Sequence, residues 1–427
     1  MTIAILLGCF FLLAMVGFPI AFALGAAAVV AIVWDGTVPL LLVPQRMFVF
    51  VDSFTIMAVP FFLFTGELMN SGGITKRIVD FAETLVGHFR GGLAHVNIVA
   101  SMFFGGINGS SAADTSAIGG VMIPAMVKRG FDVHFSVAVT CASSCMGPII
   151  PPSIVLIIYG AISGVSIGGL FLAGVIPGFI FGICQMGLCY AYARKGLYVA
   201  PPQPRANLAT VGRTMRRGAL PLLIPLIIVG GIVGGVVTAT EAGVLAAALA
   251  LGIAVIYREM NGKALRRTVS LSVYRTGQSL IIAAAAAPVA WLLTKEKFGV
   301  LMVDMLGGVA ASPIMVLCVI AVIVLVTGCF VDAIGTLMIL VPVFYPLAGQ
   351  LGIDPYHLAL VISMATVLGG LTPPVAPLLY LANSIADADI AKSTRASMPF
   401  FLISISAIVI VIVFPPLATA LPRLLMG

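Results

Sequence analysis

The residues of this chain best suited to chemistry are oxygen-bearing side chains placed among glycines. The stretch GGINGSSAADTSAIGGVMIP, Gly105 to Pro124, offers Asn108, Ser110, Ser111 and Asp114 within an otherwise apolar sequence. Two further stretches, CASSCMGPIIPPSIVLIIYG and ATVLGGLTPPVAPLLYLANS, contain Gly147, Pro148, Pro151 and Pro152, and Gly369, Gly370, Pro373 and Pro374. Proline removes a backbone donor and clashes with the preceding helical turn, so neither stretch can be one continuous helix. The freed carbonyls, with Ser, Thr or Asn oxygens, can replace the hydration shell of Na⁺, and helix N-termini offer NH groups to an anion. The chemistry implied is reversible binding of a cation and an anion. For INGSS, close helix packing through small residues is the other open reading.

The elements that must position these residues lie in lipid. Hydrophobic residues make up 61% of the 427-residue chain and charged residues 9%, against about 25% charged in a soluble domain. Apolar runs of the roughly 20 residues needed to cross a bilayer recur throughout. The gaps between them are too short for a separate soluble domain, so residues 1–427 read as one integral membrane domain. The N-terminal run lacks a basic leader and stays apolar to Val33, and reads as retained membrane helix. Seven cysteines are scattered without a CxxC and read as apolar filler.

Short cytoplasmic loops collect Lys and Arg. Arg194 to Arg217 holds six basic residues and no acids, and Arg258 to Arg275 five basic residues and one acid, so both read as cytoplasmic loops. The segment between them must cross twice, and it has two apolar runs separated at Thr238 to Glu241. Arg90 on one side and Lys128 and Arg129 on the other place both ends of the opening stretch in the cytoplasm. Residues 91–127 therefore read as a re-entrant hairpin with INGSS at its tip.

The pattern recurs. DTSAIGGVMIP (Asp114 to Pro124) matches DAIGTLMILVP (Asp332 to Pro342) at an offset of 218; GFD matches GID, and Pro151-Pro152 matches Pro373-Pro374, at 222. A four-residue loop insertion reconciles the two registers. From Phe298 to Ala391 there is no Lys or Arg, so the second hairpin, 310–347, enters from the outside, and the copies are inverted with their tips facing near the midplane. The fold expected is all-α and polytopic, with two inverted repeats, each a hairpin and a broken helix (133–163 and 356–385), in an elevator-type ion-transporter arrangement. Residues 1–90 are scaffold and first arm, 91–193 the first repeat core, 194–305 cytoplasmic loop, scaffold helices and second arm, 306–390 the second repeat core, and 391–427 a C-terminal helix.

PIAFALG, GGINGSSAADTSAIGGVMIPAM, MGPIIPPSIVLIIYG and GGLTPPVAPLLY resemble the large membrane subunit, the M or DctM-like subunit, of tripartite ATP-independent periplasmic (TRAP) transporters, over the whole length. The resemblance implies a sodium-coupled elevator in a bacterial inner membrane. It also implies a small four-helix membrane subunit and a soluble periplasmic binding protein that delivers an organic acid, a sialic acid or a C4-dicarboxylate. Carried over residue by residue, the first Na⁺ site falls on Asn108, Ser110, Ser111, Gly147 and Ile150, and the second on Gly328, Gly369, Thr372 and Val375. The family more often has Ser where this chain has Asn108. Asn108, Ser111, Asp114 and Asp332 are the candidate substrate contacts. A self-sufficient sodium-coupled carboxylate carrier is the alternative.

Asp114 and Asp332 fall one helical turn into the second arm of each hairpin, where a carboxylate either lowers the cost of holding Na⁺ or, the preferred reading, caps the arm's first turn. Glu67, Lys76, Arg77 and Asp80, and Lys295, Glu296, Lys297 and Asp304, read as interfacial arm helices. An intramembrane enzyme is disfavoured: HExxH does not occur and the four histidines are scattered. No nucleic-acid partner is implied, because the net charge of +7 comes from the basic loops.

The charge asymmetry predicts that single cysteines at positions 205 and 263, in a cysteine-free background, react with a membrane-impermeant maleimide only from the cytoplasmic face. Ready labelling of both from the periplasm overturns the orientation.

Overall fold

The computed structural model describes residues 1–197, 204–306, 312–373 and 375–426, and every regular element within them is a helix. Pro374, residues 310 and 311 of the second expected hairpin, and the side chain of Asp304 lie outside the described residues. The apolar N-terminal run is two helices folded on each other, α1 (Thr2–Met15) and α2 (Ile20–Asp35), broken by Gly17 at φ +92° and by Pro19. Next come α3 (Leu42–Val51), α4 (Ala58–Ser71) and the amphipathic α5 (Ile74–Val86), which buries Ile74, Ile78 and Ala82 along one face.

A pair of helices follows, α6 (Gly92–Asn108) and α7 (Ser111–Lys128), packed together across a two-residue turn in which Gly109 takes φ +62°. Gly130 ends α7 at φ +88°, and Asp132, accepting from Phe135 N at 2.8 Å, starts α8 (Val133–Ser144). The chain is then unwound until Ser153 caps α9 (Ile154–Ser163). The long α10 (Ile167–Arg194) returns, and α11 (Leu208–Val233) and α12 (Ala239–Ile256) form an antiparallel pair closed by the capping box of Thr238 and Glu241.

α13 (Gly262–Lys295) corrects one expectation. Lys263, Arg266, Arg267 and Arg275 stand on this 34-residue helix, about 51 Å long at 1.5 Å per residue, and not in a loop. Asn261 caps this helix and the KALRR run at 263–267 is good helix-forming material, so basic residues alone did not mark a turn. Arg275 pairs with Glu67 of α4, whose side chain is 4% exposed; Glu67 is therefore buried and paired, not part of an interfacial arm. Near the other end Lys295 bonds to Asp35 at 2.6 Å, and its hydrogen bond, with that of Thr37, holds the Asp35 carboxyl below the usual carboxylate range.

After α14 (Phe298–Leu306), a second helix pair, α15 (Pro313–Gly328) and α16 (Ala333–Gln350), leads into α17 (Pro355–Gly369), an unwound stretch, and α18 (Pro377–Ala386). Gly352 at φ +69° and Asp354 form the same stop and start as Gly130 and Asp132. The starts and ends of α7 and α16, and the caps Asp132 and Asp354, are all separated by 222 residues. The expected change from 218 to 222 is thus not needed: Asp332 corresponds to Ser110, not Asp114, and Pro346 within α16 to Pro124 within α7. The sequence match at 218 aligned two aspartates that do different jobs. α19 (Ile390–Val413) and α20 (Pro416–Met426) complete the chain.

Among the described residues five helices, α10, α12, α13, α16 and α19, are long and apolar enough to cross a membrane. Large apolar side chains such as Phe22, Trp34, Phe48 and Leu226 face outward, as a lipid solvent permits. Inside, glycine sets the spacing. A Cβ on Gly105 would stand 2.6 Å from Gly147 Cα, and one on Gly369 2.6 Å from the Gly328 carbonyl carbon. Each helix pair is thus pressed backbone to backbone against its own unwound segment, the close approach that small residues allow in membranes.

This contact predicts that Gly105→Ala lowers stability by about 1–3 kcal/mol, the cost of overpacking a backbone contact, whereas Gly120→Ala, where a Cβ meets nothing within 4 Å, does not. Thermal unfolding of the two purified variants checks it; equal melting temperatures would count against it.

Candidate functional site

The two helix-pair tips and the two unwound segments meet around one cavity of about 220 Å³. The first tip contributes Gly109, Ser110, Ser111 and Ala112; the second contributes Gly328 and residues 331–334. Pro148, Ile154 and Val155 come from one break and Thr366, Gly370, Pro377 and Leu378 from the other, while Val59 and Leu63 of α4 and Ser279 of α13 close the remaining wall. The N-termini of α7, α9, α16 and α18 all reach it. Three of these ends are capped: Ser110 accepts from Ala113 N at 3.4 Å, Ser153 from Leu156 N at 3.1 Å and Asp332 from Gly335 N at 3.2 Å. Asp332 is the only ionisable side chain in the described lining, and no Lys, Arg or His contributes.

Of the sequence-derived candidates, Ser110, Ser111, Gly328 and Asp332 line this cavity. Asn108 lies just behind the tip, its Oδ1 accepting from Ser110 N at 2.7 Å and its side chain against Gly66 of α4, where it braces the turn. Gly147 runs beside the Ser110 backbone, and Ile150 packs on Gly178 of α10. In the other half Gly369 lies on Gly328, and Val375 N donates to Cys329 O at 3.3 Å. Thr372 Oγ1 donates to Leu368 O at 3.1 Å and borders a separate small hollow with Thr394 and Ser397 of α19. The candidates thus form two groups, each tying a tip to its own break. In each half one backbone bond ties break to tip, Ile154 N to Gly109 O at 3.4 Å and Val375 N to Cys329 O, though not at positions equivalent under the 222-residue offset.

The aspartates separate. Asp332 is the cap of α16, at the helix start and not one turn inside it. Asp114 caps nothing: Ser110 holds that position on α7, and Asp114, one turn further, is fully buried outside the cavity lining. A carboxylate in the second turn has no orphan NH left to accept from, which is why the cap reading fails there. Sequence reasoning passed over Ser153, Thr366 and Ser279. Ser153 carried a signal, a serine directly before an apolar helical run; Ser279, in mid-helix, carried none.

Apolar spans surrounding paired helix tips, with unwound backbone opening on an internal cavity, define a membrane transport protein. The chain matches the family model described as tripartite ATP-independent periplasmic transporter, DctM component, over residues 7–417, and it belongs to that family. It is 34% identical to the sialic acid TRAP transporter large permease protein SiaM of Vibrio cholerae, covering 96% of each protein. It is also 34% identical to the C4-dicarboxylate TRAP transporter large permease protein DctM of Pseudomonas aeruginosa, covering 88% of each, and to the 2,3-diketo-L-gulonate TRAP transporter large permease protein YiaN of Escherichia coli, covering 98% of each. The YdaH transporter of Alcanivorax borkumensis shares the fold, with a TM-score of 0.60 at 13% identity over 94% of this chain and 96% of that one.

Proposed function

We propose that this chain is the large permease of a sodium-coupled, binding-protein-dependent secondary transporter of a bacterial inner membrane that imports an organic acid of the sialic acid or C4-dicarboxylate class. The observation that carries the reading is the convergence of four helix N-termini and two oxygen-rich tips on one cavity without a basic side chain. NH dipoles at helix starts favour an anion. Na⁺ held by Ser110, Ser111, Gly147 and Ile150 with Asn108 beside them, and by Gly328, Gly369, Thr372 and Val375, would offset the charge of Asp332 and of the bound acid. The two Na⁺ then balance Asp332 and one carboxylate of the acid, so each ligand favours binding of the other, which is how coupling arises.

The two halves, in register at 222 residues and set in opposite charge environments, support inverted repeats. Residues 91–163 and 310–385 move as one body against a scaffold of 218–258 and the early helices. Val59 and Ser279 complete the cavity from the other side, so its wall lies on the sliding boundary. A four-helix membrane subunit docks on the scaffold's outward apolar surface, and a periplasmic protein delivers the acid; the relatives named as large permeases support both partners.

Uptake by proteoliposomes containing both membrane subunits, with the binding protein outside, should require a Na⁺ gradient and no ATP. Thr372→Val should raise the Na⁺ concentration for half-maximal uptake severalfold while expression holds; an unchanged requirement removes Thr372 from the site.

The hollow between the 163–168 loop and Thr238 of the scaffold turn gives a direct test of sliding. Cysteines at 161 and 238, both of which line this hollow, should abolish uptake when joined by a short bifunctional maleimide. Full uptake with the cross-link confirmed would rule out relative motion of these bodies.

A further inference from the structure

The repeat sets one residue of each tip against an early helix. Asn108, the last residue of α6, and Phe330, in the turn between α15 and α16, are 222 residues apart, the offset that relates the two halves. Asn108 is buried and fills a notch on α4: a Cβ added to Gly66 would stand 2.9 Å from Asn108 Cβ. Phe330 meets α1, its ring centroid 5.9 Å from that of Phe11 and its plane at 85°, the edge-to-face arrangement that aromatic pairs favour. Phe11 is backed by the buried ring of Phe10, 5.2 Å away. α1 packs on α2, and both α2 and α4 pack on α13, so the two resting points belong to one group of helices. The turn that bears Phe330 is tightly bonded, with Phe330 N and Val331 N both donating to Thr327 O at 3.0 Å. Val331 and Asp332, next along the chain, line the cavity. A displacement of the Phe330 ring therefore carries Asp332 with it.

We propose that Phe330 on Phe11 and Asn108 in the Gly66 notch are the seats on which the sliding body rests against the scaffold, and that Phe11 and Phe330 are positioning residues that set how much of the protein occupies the position described here. The inference rests on the sliding reading above. When one body slides past another, a contact between a tip and an early helix exists at one end of the travel only, and it biases the two access states by its own strength. The seats differ in kind. The notch is steric: it fixes where the first tip stops, and a side chain at position 66 excludes Asn108 from it. The ring pair is attractive and fixes how firmly the second tip is held. None of Phe11, Gly66, Asn108 and Phe330 belongs to the described cavity lining, so the bias is set by residues that do not meet the acid.

The test measures how fast a short bifunctional maleimide joins cysteines at 161 and 238, in an otherwise cysteine-free background, in the purified full-length protein without a Na⁺ gradient. These positions share the hollow between the sliding body and the scaffold and lie on elements other than those that carry the seats. Phe11→Ala and Phe330→Ala should each slow the joining severalfold, up to about tenfold, the scale of one aromatic pair. The double variant should be no slower than the slower single variant, because the two rings act as one contact. Phe330→Tyr, which keeps the ring edge, should stay near the parent rate, and Gly66→Ala should slow the joining because Asn108 no longer seats. Loss of packing alone would lower the melting temperatures of the alanine variants and leave the joining rate where it was. Parent rates in both alanine variants, or a slowing that adds up in the double variant, overturn the proposal. Full uptake by the joined parent, in proteoliposomes with its partner subunits, is a different failure: it removes the sliding reading, and the seats with it.

Discussion

The constraint on which this structure depends is that backbone NH and carbonyl groups removed from helices inside a membrane have no water to turn to. Residues 145–153, and 370–373 with 375 and 376, are such segments. They persist because each has a helix-pair tip pressed against it, close enough to exchange backbone hydrogen bonds through Ile154 N and Val375 N. The glycines are what permit this. Gly105 on Gly147 and Gly328 on Gly369 bring main chain to main chain at distances no side chain tolerates. Break and tip are therefore one unit: neither is stable in lipid without the other.

From that pairing the cavity follows. Two tips and two breaks brought to a common centre leave four helix starts reaching the cavity, and the positive ends of helix dipoles are the ends at which an anion is favoured. The described lining holds no Arg or Lys, either of which would be costly to hold at this depth. Ser110, Ser153 and Asp332 satisfy part of each first turn, and α18, which lacks a side-chain cap, leaves the most open end.

The sequence was most legible where a local rule had a single solution. Gly130 with Asp132 and Gly352 with Asp354 are helix stop and start signals, so the boundaries of the helices around them were readable and the 222-residue match there was sound. The proline pairs made the breaks visible for the same reason. Aspartate offered no such uniqueness: the same residue type caps α16 at Asp332 and is buried at Asp114, and aligning the two shifted the register by one turn. Glu67 and Arg275 were unreadable as partners because they are joined only by the packing of α4 on α13. Val59, Leu63 and Ser279 look like any other positions of apolar helices, and only the closing of the cavity gives them a role.

α13 carries an ion pair at Arg275 and another at Lys295, the first with α4 and the second with the end of α2. Along the helix axis these lie about 30 Å apart at 1.5 Å per residue, which is the thickness of a bilayer's hydrocarbon layer. The segment between the two arginine and lysine anchors is a gauge. It sets the depth at which α2, α4 and everything packed on them sit, and it fits lipids of ordinary chain length. In a thicker bilayer one anchor would be drawn into hydrocarbon, and α13 could relieve that only by standing more upright. In a thinner one it would tilt and carry α4, with its side of the cavity wall, along with it. Acyl-chain length would thereby be a mechanical input to the cavity, delivered through a helix that contributes only Ser279 to the described lining.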